Sequence, residues 1–249
     1  MVIGVTAADP DTIGADLVAV APDPQASSHG APERAVADAD PVAVVYRDSR
    51  APLAVVALEA TVEGLRTAAS RAVRACRGGG TVAWILDETL PLATAEQVSA
   101  LAEGAVLGGY DGRRWRSGEP PRGVERFVIC ECRDEFAPVA DRAALVARWT
   151  NTARELVDAP ANVISPTGLA ERVGKYDYLV TETVDPVRAG LGALAAVGNS
   201  SPIPPRLIVL RHQPRAAPDE PRLALVGKAV TFDTGGYFLK PQHPPPKVG

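Results

Sequence analysis

The sequence predicts an α/β protein in two parts, divided at about residue 140. Two observations carry this. Apolar runs of strand length recur through the chain, separated by segments whose apolar residues return at helical spacing. Strands alternating with crossover helices imply layers of helix and sheet. A long amphipathic stretch over 139–157 then separates an earlier set of strands from a later one, where a bridging helix would sit.

In the first part (residues 1–140), VIGVTAA from Val2 and DLVAVAP from Asp16 read as strands. PVAVVYRD from Pro41 and PLAVVALE from Pro52 read as two more, forming a hairpin around Asp48–Pro52. Over 61–76, Val62, Leu65, Ala69, Val73 and Cys76 fall on one helical face, and Gly78–Gly80 end the helix. TVAWILD follows as a buried strand, then a helix over 94–107 with Thr94 as its N-cap, then the strand VERFVICE from Val124. The loop 108–123 combines Tyr110 and Trp115 with Arg113, Arg114, Arg116 and Arg122. It reads as a solvated loop with a packed aromatic anchor, or as an anion or nucleic-acid contact.

The second part (residues 141–249) contains the rest of the long helix, which Asp158-Ala159-Pro160 stops. Ser165-Pro166 is a helix start, with Ser as the cap and Pro at the first helical position. YDYLVTETV reads as a strand, 190–197 as a helix, and PRLIVLRHQ and RLALVGKAVTF as two central strands. The final PQHPPPKVG is too proline-rich for helix or interior strand.

Bulk properties exclude several classes. A net charge of −4 argues against a general nucleic-acid binder, which needs a basic surplus. No run approaches the roughly 20 apolar residues of a membrane helix, and the N-terminus lacks the basic start and apolar stretch of a secretory signal. Cys76, Cys130 and Cys132 have no framework spacing and read as free, buried thiols of a cytoplasmic protein. Gly190-Leu-Gly192 lacks the preceding strand that a dinucleotide fingerprint needs. Gly227-Lys228 is not a phosphate loop, because Arg222 and Ala229 occupy its defining positions. His29, His212 and His243 have no zinc-site spacing.

The chemistry concentrates in RLALVGKAVTFDTGGYFLKP. Lys228 sits inside a predicted strand that is apolar on both faces. A buried ammonium costs several kcal/mol unless paired. It can snorkel to water, pair with a carboxylate, or lose its proton and ligate a metal. The last would explain a lysine in a chain whose 26 basic residues include only Lys175, Lys228, Lys240 and Lys247 as lysines, since arginine does not deprotonate. Asp233 ends the predicted strand at the edge where α/β sheets bind ligands. Gly235-Gly236 permit a sharp turn, and Lys240 follows before Pro241. The set suits metal-assisted hydrolysis; a buried Lys–Asp ion pair is the alternative.

LVGKAVTFDTGGYFLKP resembles the catalytic signature of the leucyl aminopeptidase (cytosol aminopeptidase) family, with Ala229 for the usual Gly and Thr234 for the usual Ser. AEGAVLGGYDGRRW, TARELVDAPANVISPTGLA and GLGALAAVGNSSPIPPRLIVL agree with the family in order and spacing. The resemblance implies a macro-domain-like N-terminal α/β domain followed by an α/β metallopeptidase catalytic domain. It implies two divalent metal ions, manganese or zinc, with magnesium or cobalt also fitting. By motif position Lys228 is a neutral metal ligand, Asp233 bridges both metals, and Lys240 is the charged catalytic lysine at the scissile carbonyl. Peptide substrates, release of N-terminal residues, a cytoplasmic location and a homohexamer are further implications. The family's later Asp and NTDAEGR-like motifs do not follow Pro241. The expectation is therefore an incomplete catalytic domain that holds the metals poorly and is inactive alone. The other reading is a non-catalytic module binding a nucleotide or nucleic acid.

Overall fold

The computed structural model describes residues 1–22, 41–119, 122–199, 201–212 and 223–232. The chain divides into two compact units, Met1–Asp158 and Ala159–Gly249.

The first unit is built on a six-stranded sheet of order β1-β6-β5-β2-β4-β3. Its strands are β1 (Val2–Val5), β2 (Leu17–Val20), β3 (Val42–Arg47), β4 (Arg50–Val56), β5 (Gly80–Ile85) and β6 (Val124–Cys130). Neighbouring pairs are parallel except β3, which runs antiparallel to β4 at one edge. The register pairs Val18 with Leu53, Ala19 with Trp84, and Trp84 with Ile129. Central strands of a parallel sheet are buried on both faces, so they read as continuous apolar runs. Accordingly Leu17, Ala19, Val82, Trp84, Phe127 and Ile129 belong to one buried cluster. Val18, Val20, Val55, Ala83, Ile85 and Val128 belong to the other.

Three helices cover the first of these faces: α1 (Val62–Ala75), α2 (Thr94–Gly108) and α3 (Ala137–Asp158). The Thr61 side chain caps α1 by accepting from the Gly64 N–H at 3.0 Å. The predicted cap of α2 is corrected: Thr94 is the first helical residue and Ala93 the cap. Ala93 has no side-chain oxygen to offer the first turn; the Glu96 carboxylate instead accepts from the Ala93 N–H at 3.0 Å, and the Ala93 carbonyl accepts from the Glu96 N–H at 2.9 Å. α2 then packs between α1 and α3. Its contact with α1 depends on Gly104 and Gly108: a Cβ on Gly104 would lie 2.0 Å from the Arg66 carbonyl oxygen, and one on Gly108 would lie 2.5 Å from Ser70 Cα. The two backbones meet because neither glycine has a side chain.

The helix α3 belongs entirely to the first unit, so the division falls at its end rather than near residue 140. The reason is packing. Ala140, Ala143, Ala144 and Ala147 are buried in the first unit's core, and α3 packs on α2 and beside β1.

In the second unit, α4 (Pro166–Val173) starts as predicted, the Ser165 hydroxyl accepting from the Gly168 N–H at 3.1 Å. β7 (Val180–Val184) and β8 (Leu207–Arg211) form a two-stranded antiparallel sheet, with α5 (Gly192–Gly198) between them in sequence. Arg211 and Glu182 bridge the strands at 3.0 Å. Among the described residues, no helix is long and apolar enough to cross a membrane.

Candidate active-site segment

Of the candidate site residues, Lys228 lies within the described residues, whereas Asp233 and Lys240 lie outside them. The segment holding Lys228 differs from its prediction. Residues 223–230 form no strand, and Lys228 is exposed. Leu225 and Val226 stand almost fully in solvent, at 89% and 98% relative exposure. Within this segment the Val230 N–H donates to the Lys228 carbonyl at 3.1 Å, closing a tight turn.

The physical reason is the lack of a ladder. A strand holds its shape through backbone bonds to neighbours, and even a two-stranded ribbon is marginal in water. Among the described residues nothing pairs with 223–230, since β7 and β8 pair with each other. The burial expected for Lys228 inside a strand is therefore not found.

No group of three or more His, Cys, Asp or Glu suited to a metal occurs among the described residues. With Lys228 exposed, the described residues alone do not form a metal site. The dinucleotide reading fails as expected: β7 ends at Val184, and a turn through Pro186 and Gly190 intervenes before α5.

The arginine-rich loop after α2 is engaged with carboxylates of its own unit. Residues Gly112–Trp115 form a 3-10 turn whose first N–H groups Asp111 caps. Arg113 pairs with Asp111 at 2.8 Å, and Arg114 with Glu155 on α3 at 3.2 Å. The Tyr110 hydroxyl donates to Asp158 Oδ2 at 2.5 Å, and the Arg154 guanidinium lies 5.6 Å from the Tyr110 ring centre. Two of the basic groups that could meet phosphates are thus partly neutralised, and the packed aromatic anchor is Tyr110. No observation supports the nucleic-acid reading.

The cysteines are free, with Cys130 and Cys132 buried and Cys76 half-buried. Burial first, and Glu131 second, push the Cys130 thiol up to about 12. Such a thiol does not supply a nucleophile at neutral pH.

A model of the cytosol aminopeptidase family's catalytic domain matches residues 151–245. Over this stretch the chain is similar to the cytosol aminopeptidase family. Curated relatives agree. A probable cytosol aminopeptidase of Solibacter usitatus is 33% identical over 186 residues, covering 72% of this chain and 38% of the relative. Another, of Micrococcus luteus, is 37% identical over 198 residues, covering 74% and 38%. The chain thus spans about two fifths of the length of these family members.

Among solved structures, the bottromycin maturation enzyme BotP in complex with Mn superposes with a TM-score of 0.66 at 28% identity, covering 81% of this chain and 46% of that one. A mutant tomato leucine aminopeptidase gives a TM-score of 0.79 at 24% identity, covering 94% and 55%, and shows the shared fold. The match of residues 151–245 includes Lys228, Asp233 and Lys240.

Proposed function

We propose that the chain carries part of a metal-dependent aminopeptidase that releases N-terminal residues from peptides. The observation that carries this is the family match over 151–245, which includes the ordered run Lys228, Asp233, Gly235-Gly236, Lys240. The Mn in the BotP complex supports a divalent ion as the metal of such a site.

In this reading Lys228 and Asp233 are metal ligands, one amine and one carboxylate, a donor pair compatible with manganese or zinc. The complete site would hold two ions, which when bound polarise the scissile carbonyl and lower the pKa of water. Lys240 stays protonated and donates to the carbonyl oxygen as it gains charge. An amine that ligates a metal does so through its lone pair, without the extra proton. A cytoplasmic location is part of this proposal, supported by the relatives' description as cytosol aminopeptidases. The macro-like first domain and the homohexamer belong to the same proposal, by resemblance.

The experiment is hydrolysis of Leu-para-nitroanilide with Mn2+. Release of nitroaniline that Lys240→Ala abolishes supports this assignment. Release that survives Lys240→Ala contradicts the role given to that lysine.

A further inference from the structure

The first unit carries a groove between α1 and the edge strand β3, about 740 Å³ in volume, whose lining includes Val44, Tyr46, Arg71, Arg74 and Arg77. Arg71 and Arg74 lie one turn apart near the end of α1, and Arg77 lies in the turn that follows the helix. Arg71 donates to the Ala57 carbonyl at 3.1 Å and Arg74 to the Gly108 carbonyl at 3.4 Å. No carboxylate among the described residues pairs with any of the three. Asp16 also lines the groove, but one of its oxygens accepts from the Thr81 N–H at 2.7 Å. Among the described residues that line the groove, three arginines thus accompany one carboxylate.

The opposite wall is a strand edge. Among the described residues β3 pairs only with β4, so its outer N–H and C=O groups have no ladder. Side chains alternate across a strand. Ala43 and Val45 pack against the far core, while Val42 packs on the α1 side. On that same side Val44 is 40% exposed and Tyr46 84% exposed. The ladder is irregular between Val45 and Arg47, which leaves Val42–Val45 as the regular edge. One added strand would extend the sheet, cover Val44 and Tyr46, and present every second side chain toward the arginines.

We propose that this groove docks an extended acidic peptide as an added strand on β3, its alternate carboxylates paired with Arg71, Arg74 and Arg77. Backbone bonds to an exposed edge give such complexes affinity, and alternate side chains give them specificity. Complementary charge sets the choice of partner. The site lies in the first unit and is independent of the Lys228–Lys240 segment.

The test uses the whole chain and a fluorescent peptide of alternating Glu and Thr, acetylated and amidated at its ends. Its blocked N-terminus keeps aminopeptidase chemistry from contributing. Fluorescence anisotropy is expected to show saturable binding that added salt weakens. Arg74→Glu/Arg77→Glu should weaken binding by at least about tenfold. Both arginines are exposed, and a cooperative thermal melt of the variant shows that it is folded. A Gln–Thr peptide and a Glu–Thr peptide with alternate amides N-methylated should each bind poorly. Equal binding by the Gln–Thr peptide, or by the double variant, overturns the charge pairing. Equal binding by the N-methylated peptide overturns the added strand. Complete competition by inorganic triphosphate, with the same arginine dependence and no effect of N-methylation, would make the groove a small-anion site instead. No saturable binding by the wild-type chain overturns the proposal.

Discussion

The Tyr110 hydroxyl donates a 2.5 Å hydrogen bond to Asp158 Oδ2, tying the turn after α2 to the last residue of α3. Asn151 Nδ2 donates to the Val106 carbonyl at 2.8 Å, Arg154 to the Leu107 carbonyl at 3.3 Å, and Arg114 bridges Glu155 at 3.2 Å. The final turns of α3 are therefore fastened to the first unit up to the point where the chain divides.

Removing that hydroxyl should loosen the end of α3. Tyr110→Phe is expected to lower stability by about 1 kcal/mol, the net worth of one hydrogen bond on a partly exposed site. Urea unfolding followed by circular dichroism reads this. An unchanged midpoint would mean that Asp158 finds an equal partner in water.

The same bond has a pH signature. Desolvation, followed by the hydrogen bond and charge of Asp158, pushes the Tyr110 phenol up to about 12, against an ordinary value of about 10. The folded state favours the protonated phenol. Its contribution is fully present below about pH 10 and is lost as pH rises through about 12. Ultraviolet titration of phenolate should show a late-ionising component that Tyr110→Phe removes.

Gly112 is coupled to this pair. A Cβ there would sit 2.7 Å from Asp158 Oδ2, so the carboxylate must swing aside. Gly112→Ala should destabilise the chain by about 1 kcal/mol, a common cost for a single substitution. Its effect should shrink in a Tyr110→Phe background, because both changes break one interaction. Strictly additive effects would contradict the coupling.

Gly104→Ala should be worse, because the new methyl would meet the Arg66 backbone rather than a movable side chain. Forcing α1 and α2 apart should cost about 1–3 kcal/mol or more. Thermal melts of Gly104→Ala separate crowding from helix propensity, because propensity alone predicts a gain of roughly 1 kcal/mol and crowding predicts a loss.

Much of the first unit was legible because buried parallel strands must be apolar on both faces: β2, β4, β5 and β6 were visible as runs. Three features were less so. The cap of α2 is Ala93, one residue before the Thr94 that a side-chain rule selects, because Glu96 closes the helix start from inside by accepting from the Ala93 N–H. The α1–α2 contact was missed because glycines at 104 and 108 inside a helical pattern show their purpose only against Arg66 and Ser70. Tyr110 and Asp158 are 48 residues apart, and no local pattern joins them. For the candidate site, the motif showed which residues to consider. It did not show the state of Lys228, because burial of a strand depends on neighbours beyond the strand itself.

The most direct test of Lys228, Asp233 and Lys240 is a chimera. Residues 151–245 of this chain would replace the matching segment of the Micrococcus luteus relative, and hydrolysis of Leu-para-nitroanilide would be measured with Mn2+. Activity comparable to the parent, lost in Lys228→Met, Asp233→Asn and Lys240→Ala chimeras of unchanged melting temperature, is the predicted result. A folded chimera without activity, or activity that survives the three substitutions, would contradict the assignment.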